Sequence, residues 1–368
     1  MKVLMISSYP TEGCGISKYT EELLESLIEC NVDVTSERLF FFEDKLTLFK
    51  WIRIFSGVVR DRPDIIHIQY IPPICGPYFP FFLLLSRFLF KDKVKTVITA
   101  HEKPSTYYRH LKGATYSLFK VYEQIILRFC DAVIIHIDEH RSEILDNYTI
   151  ETGKIWTIPH CVMDYVPPNA DITKRFVDKY DLDNRCIITT LGFIRPSKGI
   201  DFLFEAVSKL RYSHDVILVV AGSTSDRNAN YVDQLKKLSE RLKIDDIVRF
   251  TGYLTDDEIV SLVSISNIIV LPYLYATQSG VLNRSVPYAR PFVTTDVGGL
   301  GETVKKYNIG ELVPPGDSEA LGRAILKLLN APKLAEEYRS NCLKMAKELS
   351  QSEVAKEHIL LYKSIINS

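Results

Sequence analysis

The sequence has no long block of one charge and no apolar run long enough to cross a membrane. Its 45 Lys and Arg residues nearly balance its 46 Asp and Glu residues, for a formal net charge of −1. This balance gives no electrostatic reason to expect a nucleic-acid partner. The one long apolar stretch, residues 77–90, carries Pro80 and Arg87 and falls short of the roughly 20 residues that span a bilayer. The apolar run Met1–Ile6 is too short for a signal-peptide core and predicts a buried strand instead.

Cysteine pairs and metal-binding motifs are also missing. Seven cysteines are scattered along the chain without a Cys-x-x-Cys pair, which favours a reducing cytosol and argues against structural zinc. Asp181 and Asp183 precede a predicted strand instead of ending one, and His136 and His140 lack the glutamate of a zinc-binding helix, so we predict no metal site. The sequence has neither a phosphate loop of the Gly-x-x-x-x-Gly-Lys-Ser/Thr type nor a Gly-x-Ser-x-Gly elbow, which removes the main support for NTPase and hydrolase functions.

Length and hydrophobic patterning predict two α/β domains. The chain of 368 residues is long enough for two ordinary domains. Short apolar runs alternate with helical patterns, which predicts parallel sheets. The runs are Val3–Ile6, Ile65–Ile68, Val94–Thr99, Ala132–Ile135, Cys186–Leu191, Val216–Val220, Val248–Phe250, Ile268–Leu271 and Pro291–Thr294. We place a linker in the proline-rich segment Ile158–Asn169, which gives domains over residues 1–165 and 166–350. A last helix, about residues 351–368, could pack back on the first domain.

Two segments of the first half could carry chemistry, because they follow predicted strands at the sheet edge where ligands bind. The loop Glu12–Lys18 contains Gly13 and Gly15 and opens a helix, so its backbone could approach a phosphate or a polarised oxygen. A dinucleotide fingerprint would want glycine in place of Lys18, which argues against NAD binding. His101 ends a strand and could contact a sugar or transfer a proton, although a lone histidine is more often structural.

Two loops of the second half combine small residues with polar groups. Leu191–Asp201 runs from a strand into a helix, and Arg195 and Lys198 add the positive charge that a diphosphate site requires, unless they are an ordinary solvated pair. The next loop offers side chains and amides that could bind phosphate or sugar oxygens, or simply cap a helix. Its residues are Thr277, Gln278, Ser279, Gly280 and Val281. Glu302, in a nearby glycine-rich loop, could accept hydrogen bonds from a hydroxyl group.

Taken in order, these segments resemble the GT-B retaining glycosyltransferases called family four, or glycosyl transferases group 1, along nearly the whole chain. The motifs that carry the likeness are Gly13-Cys14-Gly15, Asp64–Gln69, the His101 strand end, Gly192–Asp201, Phe250–Thr255 and Thr295–Leu300. The resemblance implies an α/β GT-B fold, in which two Rossmann-like parallel-sheet domains face each other across a cleft. It also implies a nucleotide-sugar donor, such as a UDP- or GDP-sugar, and no required metal or cofactor.

The same resemblance assigns roles to individual residues. It implies that Arg195 and Lys198 bind the donor diphosphate and that Thr277–Val281 lies near the donor phosphates and sugar. His101 would face the transferring sugar, and the Gly13–Gly15 loop would cap the phosphates or the sugar.

One departure from the family pattern limits what can be carried over. The family usually has two glutamates eight positions apart, and here the corresponding stretch is Ala276–Arg284, without either glutamate. One usually touches the donor sugar and the other the ribose, so the preference for sugar and base does not transfer. A branch of the family has Ala-Thr-Gln-Ser-Gly-Val here, so the loss need not mean inactivity. The usual Gly-Arg pair is also changed, to Gly192-Phe193, with Arg195 further along.

The resemblance thus implies a metal-independent, retaining glycosyltransferase, and the scattered cysteines favour the cytoplasm. Its acceptor would be a glycan or a lipid-linked acceptor, in surface polysaccharide or glycoconjugate biosynthesis. The aromatic-rich segments Ile71–Phe90 and Tyr107–Arg109 could either meet a membrane surface, as a peripheral contact, or pack in the core. Two alternatives stay open: a GT-B-shaped sugar-nucleotide epimerase, and a degenerate nucleotide-sugar-binding subunit of a transferase complex.

Overall fold

The chain divides into two compact units, each with its own parallel sheet. The computed structural model describes residues 1–8, 15–39, 47–71, 75–90, 93–101, 112–225 and 228–368. Unit 1 comprises Met1–Cys161 and Leu349–Ser368, and unit 2 comprises Val162–Glu348.

Unit 1 contains a parallel sheet of six strands in the order β2-β1-β3-β4-β5-β6. The strands are β1 (Lys2–Ser8), β2 (Asp33–Leu39), β3 (Ile65–Tyr70), β4 (Lys95–Ala100), β5 (Ala132–Ile135) and β6 (Ile155–Thr157). The helices are α1 (Gly15–Glu29), α2 (Thr47–Asp61), α3 (Phe79–Phe90), α4 (Ala114–Phe129) and α5 (Asp138–Asn147), with α14 (Gln351–Ile366) returning from the end of the chain. Apolar residues on both faces of the central strands explain why helices cover the sheet on two sides.

Two apolar cores lie against opposite faces of this sheet. On one face, α2, α3 and α4 bury side chains such as Trp51, Phe82 and Ile126 against Ile66 and Ile98. On the other face, α1 and α14 pack together over alternate strand residues, with Leu27 and Tyr362 among the fully buried side chains. The last helix of the chain is therefore part of unit 1.

Unit 2 contains a second parallel sheet of six strands, in the order β12-β11-β10-β7-β8-β9. The strands are β7 (Cys186–Leu191), β8 (Val216–Ala221), β9 (Val248–Gly252), β10 (Ile268–Leu271), β11 (Phe292–Thr295) and β12 (Gly310–Val313). The helices are α6 (Ala170–Tyr180), α7 (Ile200–Leu210), α8 (Ala229–Arg241), α9 (Asp256–Ile265), α10 (Gly280–Ser285), α11 (Gly298–Tyr307), α12 (Ser318–Asn330) and α13 (Pro332–Glu348). The order reverses between β7 and β10, where α/β folds place their ligand sites.

Local sequence signals set several helix starts in this unit. Asn169 caps α6 by accepting from the backbone N–H groups of Asp171 and Ile172. Thr255 and Glu258 form a reciprocal capping box at the start of α9. Such caps satisfy the first N–H groups of a helix, which have no partner within the helix itself.

Two tandem Rossmann-like parallel sheets confirm the predicted α/β fold class. The apolar runs did not indicate β2, β6 or β12. All three are edge strands, which are covered less completely and tolerate polar residues such as those of Asp33–Leu39. None of the helices in the described ranges is long and apolar enough to cross a membrane.

Candidate functional site

The loop between β7 and α7 is held in a turn that requires glycine. Gly199 has φ +60°, and a Cβ atom there would lie 2.1 Å from the carbonyl oxygen of Pro272. Only glycine therefore allows this loop to approach the loop that follows β10. The backbone N–H of Leu274 donates to the carbonyl of Ser197 over 2.9 Å, which joins the two loops directly.

Lys198 lies in the 3₁₀ turn at the start of α7 with its ammonium group over an aromatic ring. Its Nζ is 3.3 Å from the ring centre of the buried Tyr273. Burial, together with the positive charge of Arg195, lowers the pKa of Lys198 to about 7. Among the described residues, neither Lys198 nor Arg195 forms an ion pair with a carboxylate. Two cationic side chains therefore share one place without a carboxylate partner, an arrangement that favours a bound anion.

The backbone around Lys198 leaves a small recess at the carboxyl ends of β7 and β8. Apolar and aromatic side chains form most of its wall, and Lys198 supplies its charge. The lining residues are Thr190, Leu191, Gly192, Phe193, Ile194, Lys198, Ile200, Val220, Ala221 and Tyr273.

The loop after β10 presents the start of a short helix to the same region. Ser279 caps α10 by accepting from the N–H of Leu282 over 3.2 Å. The side-chain nitrogen of Gln278 is buried and has no hydrogen-bond partner among the described residues. A buried N–H donor without an acceptor costs free energy, so a ligand oxygen that accepts from this nitrogen would be stabilised.

The start of α11 is fastened to this loop. The N–H of Gly299 donates to the carbonyl of Thr277 over 3.0 Å. A Cβ atom on Gly298, which has φ +44°, would lie 2.2 Å from the carbonyl oxygen of Ala276. Glu302 lies within α11 and is half-buried. The structure thus brings the predicted donor-binding segments Arg195–Lys198 and Thr277–Val281 together, with the helix of Glu302 beside them.

His101 lies in unit 1, directly after β4, with both ring nitrogens close to protein groups. The register of β3, β4 and β5 brings Gln69, His101 and His136 to the same edge of the sheet. The Nε2 atom of His101 is 2.7 Å from Oε1 of Gln69, and its Nδ1 atom is 3.4 Å from Nε2 of His136. The Nδ1 atom of His136 is 2.9 Å from the carbonyl oxygen of Ile158.

These contacts fix which nitrogens carry protons. A carbonyl oxygen accepts hydrogen bonds, so His136 donates from Nδ1 to Ile158, and His101 donates from Nε2 to Gln69. In the neutral pair, Nδ1 of His101 and Nε2 of His136 are therefore both unprotonated and face each other. Nδ1 of His101 is then a hydrogen-bond acceptor without a donor within the pair.

Four histidines lie around the side chain of Tyr19 in α1. The ring centres of His101 and His136 each lie 5.3 Å from the ring centre of Tyr19, and that of His160 lies 4.6 Å from it. The Tyr19 hydroxyl is 3.4 Å from Nε2 of His358. Burial lowers the pKa of all four imidazoles, to about 3 for His136 and about 4 for His358. The cluster is therefore uncharged at neutral pH, and His101 cannot serve as a general acid from an imidazolium form.

Two predicted site residues, Gly13 and Gly15, and one rejected metal-ligand candidate, Asp181, remain. Gly13 lies outside the described residues, and Gly15 is the first residue of α1. Asp181 takes a left-handed conformation at the end of α6, and its carboxylate pairs with Arg249 over 3.5 Å, which is a structural role. In the described ranges, no group of three His, Cys, Asp or Glu side chains is placed to hold a metal ion.

Sequence reasoning gave three of these side chains no individual role in the site. Tyr273 is one of several aromatic residues after β10, and its position under Lys198 depends on how two loops pack. Gln69 lies near the end of β3, and His136 directly follows β5. These strands flank β4, so the strand order could have linked both residues to His101.

Two family models match separate halves of the chain. The family model described as Glycosyl transferases group 1 matches residues 173–345, and the model described as Glycosyltransferase Family 4 matches residues 14–163. An alpha-D-kanosaminyltransferase of Streptomyces kanamyceticus is 27% identical over 72% of this chain and 67% of its own length. A D-inositol 3-phosphate glycosyltransferase of Corynebacterium jeikeium is 26% identical over 56% of this chain and 52% of its own length. The matches thus span about half to two thirds of these relatives.

Solved structures with the same fold include a sucrose-phosphate synthase of Thermosynechococcus elongatus. It is 20% identical, with a TM-score of 0.76, over 100% of this chain and 99% of that one. The Anabaena protein HepE, solved in complex with UDP, is 15% identical with a TM-score of 0.78, over 99% of this chain and 100% of that one. At such low identity these structures are similar to this chain in fold alone.

Proposed function

The chain belongs to the glycosyl transferases group 1 family of GT-B enzymes, and from this premise we propose that it transfers a sugar from a nucleotide-diphosphate sugar to a glycan or lipid-linked acceptor. The observation that carries the proposal is the pair Arg195 and Lys198, which has no carboxylate partner among the described residues. A diphosphate would supply the missing negative charge, and the amides at the helix start would add hydrogen bonds.

The donor site lies in unit 2 and needs no metal in this proposal. Arg195 and Lys198 neutralise the leaving diphosphate, as a divalent cation does in other enzymes. The amides of Gly280 and Val281, at the start of α10, and the free side-chain nitrogen of Gln278 donate to phosphate or sugar oxygens. Glu302 accepts from a sugar hydroxyl.

His101 binds the transferring sugar as a neutral group. Its Nδ1 atom, unprotonated in the tautomer set by Gln69, accepts a hydrogen bond from a sugar hydroxyl. Gly13 and Gly15 take part in donor binding in this proposal. We further propose that the sugar is transferred with retention, that the enzyme works in the cytoplasm on surface polysaccharide or glycoconjugate precursors, and that it contacts the membrane peripherally.

The replaced glutamates restrict which contacts a donor can make. Ala276 and Arg284 occupy the two positions at which the family usually has glutamates. Arg284 forms an ion pair with Asp256 over 2.6 Å. A carboxylate that would accept from a ribose or sugar hydroxyl is therefore replaced by a methyl group and by a paired guanidinium. We propose that Gln278 and Glu302 take over part of this recognition, which leaves the base and the sugar to be found by experiment.

Thermal stabilisation by nucleoside diphosphates and nucleotide sugars tests the donor site. A ligand at about 100 times its Kd stabilises the folded state by about 2.7 kcal/mol, so the best donor gives a clear rise in melting temperature. Lys198→Ala should abolish that rise, whereas Lys237→Ala, which removes an exposed lysine of α8, should retain it. No rise with any nucleotide would refute the donor-site assignment.

Two substitutions at one position test the role of His101. His101→Ala removes the acceptor and should lower kcat by about 10- to 100-fold, the value of one to two hydrogen bonds in the transition state. His101→Asn places an amide oxygen near the Nδ1 position and should restore part of the rate. Equal losses in both variants would contradict an acceptor role.

A further inference from the structure

The helices α2, α3 and α4 of unit 1 display large apolar side chains on their outer side. All three pack on the same face of the sheet, and α3 contacts both of the others. We define the apolar face by six of their apolar side chains, each between 52% and 78% exposed. Its members are Phe49, Ile52, Phe81, Phe88, Leu118 and Val121.

Helical spacing shows that the apolar face is separate from the core. Phe81 and Phe88 lie seven residues apart in α3, with the exposed Leu84 between them, so they share one side of the helix. Phe82 and Leu83 lie on the opposite side and are buried in the core. The core therefore does not account for the outward phenylalanines, and exposed apolar side chains grouped on neighbouring helices mark an interaction site.

The charge on these helices is positive although the whole chain is close to neutral. The helices contain two acidic residues, and one of them, Glu123, is buried and accepts a hydrogen bond from Tyr148. Three of the basic residues pair with Glu37, Asp61 and Asp131, and positive side chains still outnumber these negative ones. The basic residues are Lys50, Arg53, Arg60, Arg87, Lys120 and Arg128.

We propose that the apolar face docks on a bilayer that contains anionic lipid. Apolar side chains that enter the acyl boundary, surrounded by basic side chains at the headgroup level, match such a surface in both polarity and charge. A second copy of the chain would instead bring two positively charged surfaces together, which is unfavourable. This proposal specifies the lipid and the surface for the peripheral membrane contact of the proposed function. It rests on that proposed function only in supposing that the acceptor is lipid-linked.

Vesicle co-sedimentation of the full chain tests the docking. Wild type should bind phosphatidylcholine vesicles that contain phosphatidylglycerol. It should bind pure phosphatidylcholine vesicles at least tenfold more weakly, because the attraction between the basic side chains and anionic headgroups is lost. The double variant Phe81→Ser, Phe88→Ser should lose about tenfold or more of the affinity for the anionic vesicles, because the inserted apolar area is removed.

A matched control uses exposed aromatic residues of unit 2. Tyr212 and Tyr253 are 81% and 78% exposed, and the double variant Tyr212→Ser, Tyr253→Ser should bind anionic vesicles like wild type. A charge variant, Lys120→Gln with Arg128→Gln, should weaken vesicle binding about tenfold or more while leaving the apolar face intact. Melting temperatures of all variants report whether they fold.

Several outcomes would overturn the proposal. Failure of the wild type to bind anionic vesicles would do so. So would a loss of binding in the Tyr212 and Tyr253 control equal to that in Phe81→Ser with Phe88→Ser. So would a wild-type dimer that Phe81→Ser with Phe88→Ser separates into monomers, since a second copy would then occupy the face. Nucleotide stabilisation, measured on the same samples, keeps the two proposals distinct: vesicle binding without nucleotide binding would refute the donor site alone.

Discussion

The charge of Lys198 should change when the donor binds, and this change is measurable as proton uptake. In the free protein its pKa is about 7, because the side chain is partly buried and Arg195 lies nearby. At pH 8 such a group is only about one-tenth protonated. A diphosphate beside the ammonium group favours the charged form, so binding at pH 8 should take up about 0.9 proton from solution.

The same linkage sets the direction of the pH dependence. The free protein holds this proton almost fully at pH 6 and loses it almost fully at pH 8, so donor affinity should fall about tenfold over that range. A nucleotide sugar is the suitable probe, since it lacks the terminal phosphate monoester that itself titrates near pH 6.

Titration calorimetry of the nucleotide sugar that stabilises the protein best, in two buffers with different ionisation enthalpies, measures the uptake directly. The difference in observed heat between the buffers gives the number of protons exchanged. Lys198→Ala should bind more weakly and exchange almost none, whereas Lys237→Ala should behave like wild type. If affinity is the same at pH 6 and pH 8, or if Lys198→Ala takes up as many protons as wild type, the assignment of Lys198 to the diphosphate is wrong.

Two further predictions concern stability. Gly199→Ala should destabilise unit 2 by more than about 3 kcal/mol, because it combines a left-handed backbone with a Cβ placed 2.1 Å from the Pro272 carbonyl oxygen. Gly252→Ala, also at positive φ but in open space, should cost about 1–2 kcal/mol, and equal urea midpoints for the two would contradict the close approach. Acid should also destabilise the fold, because His136 and His358 have depressed pKa values in the folded state, so the unfolded chain binds more protons below about pH 6.5. By pH 5 each histidine should cost about 2 kcal/mol, and a melting temperature that stays constant from pH 7 to pH 5 would refute this.

The fold could be predicted from the sequence because buried parallel strands have a strong pattern. Runs such as Ile65–Ile68 and Val216–Val220 are apolar on both faces, which only a sheet covered by helices on two sides explains. The edge strand Asp33–Leu39 lacks this pattern, because a strand at the edge of a sheet is covered less completely and can carry polar residues. Hydrophobicity alone therefore detects the buried central strands but misses less buried edge strands.

The candidate site was accessible to sequence reasoning only in part. The loops after β7 and β10 could be located because their positive charge, glycine and small polar residues follow buried strands. The lowered pKa of Lys198 could not be foreseen, since it depends on burial beside Tyr273 and on the charge of Arg195. The tautomer of His101 could not be foreseen either, because the register of three strands places Gln69 and His136 beside it.

Acceptor-dependent release of nucleoside diphosphate tests the central claim most directly. Purified protein is given the nucleotide sugar that stabilises it best, with and without a panel of soluble and lipid-linked glycans, and both products are identified. The account predicts that one acceptor stimulates nucleoside diphosphate release, that the sugar appears on that acceptor, and that Lys198→Ala abolishes both. Free or epimerised sugar formed equally well without any acceptor would contradict it, and so would nucleotide binding without turnover across the whole panel.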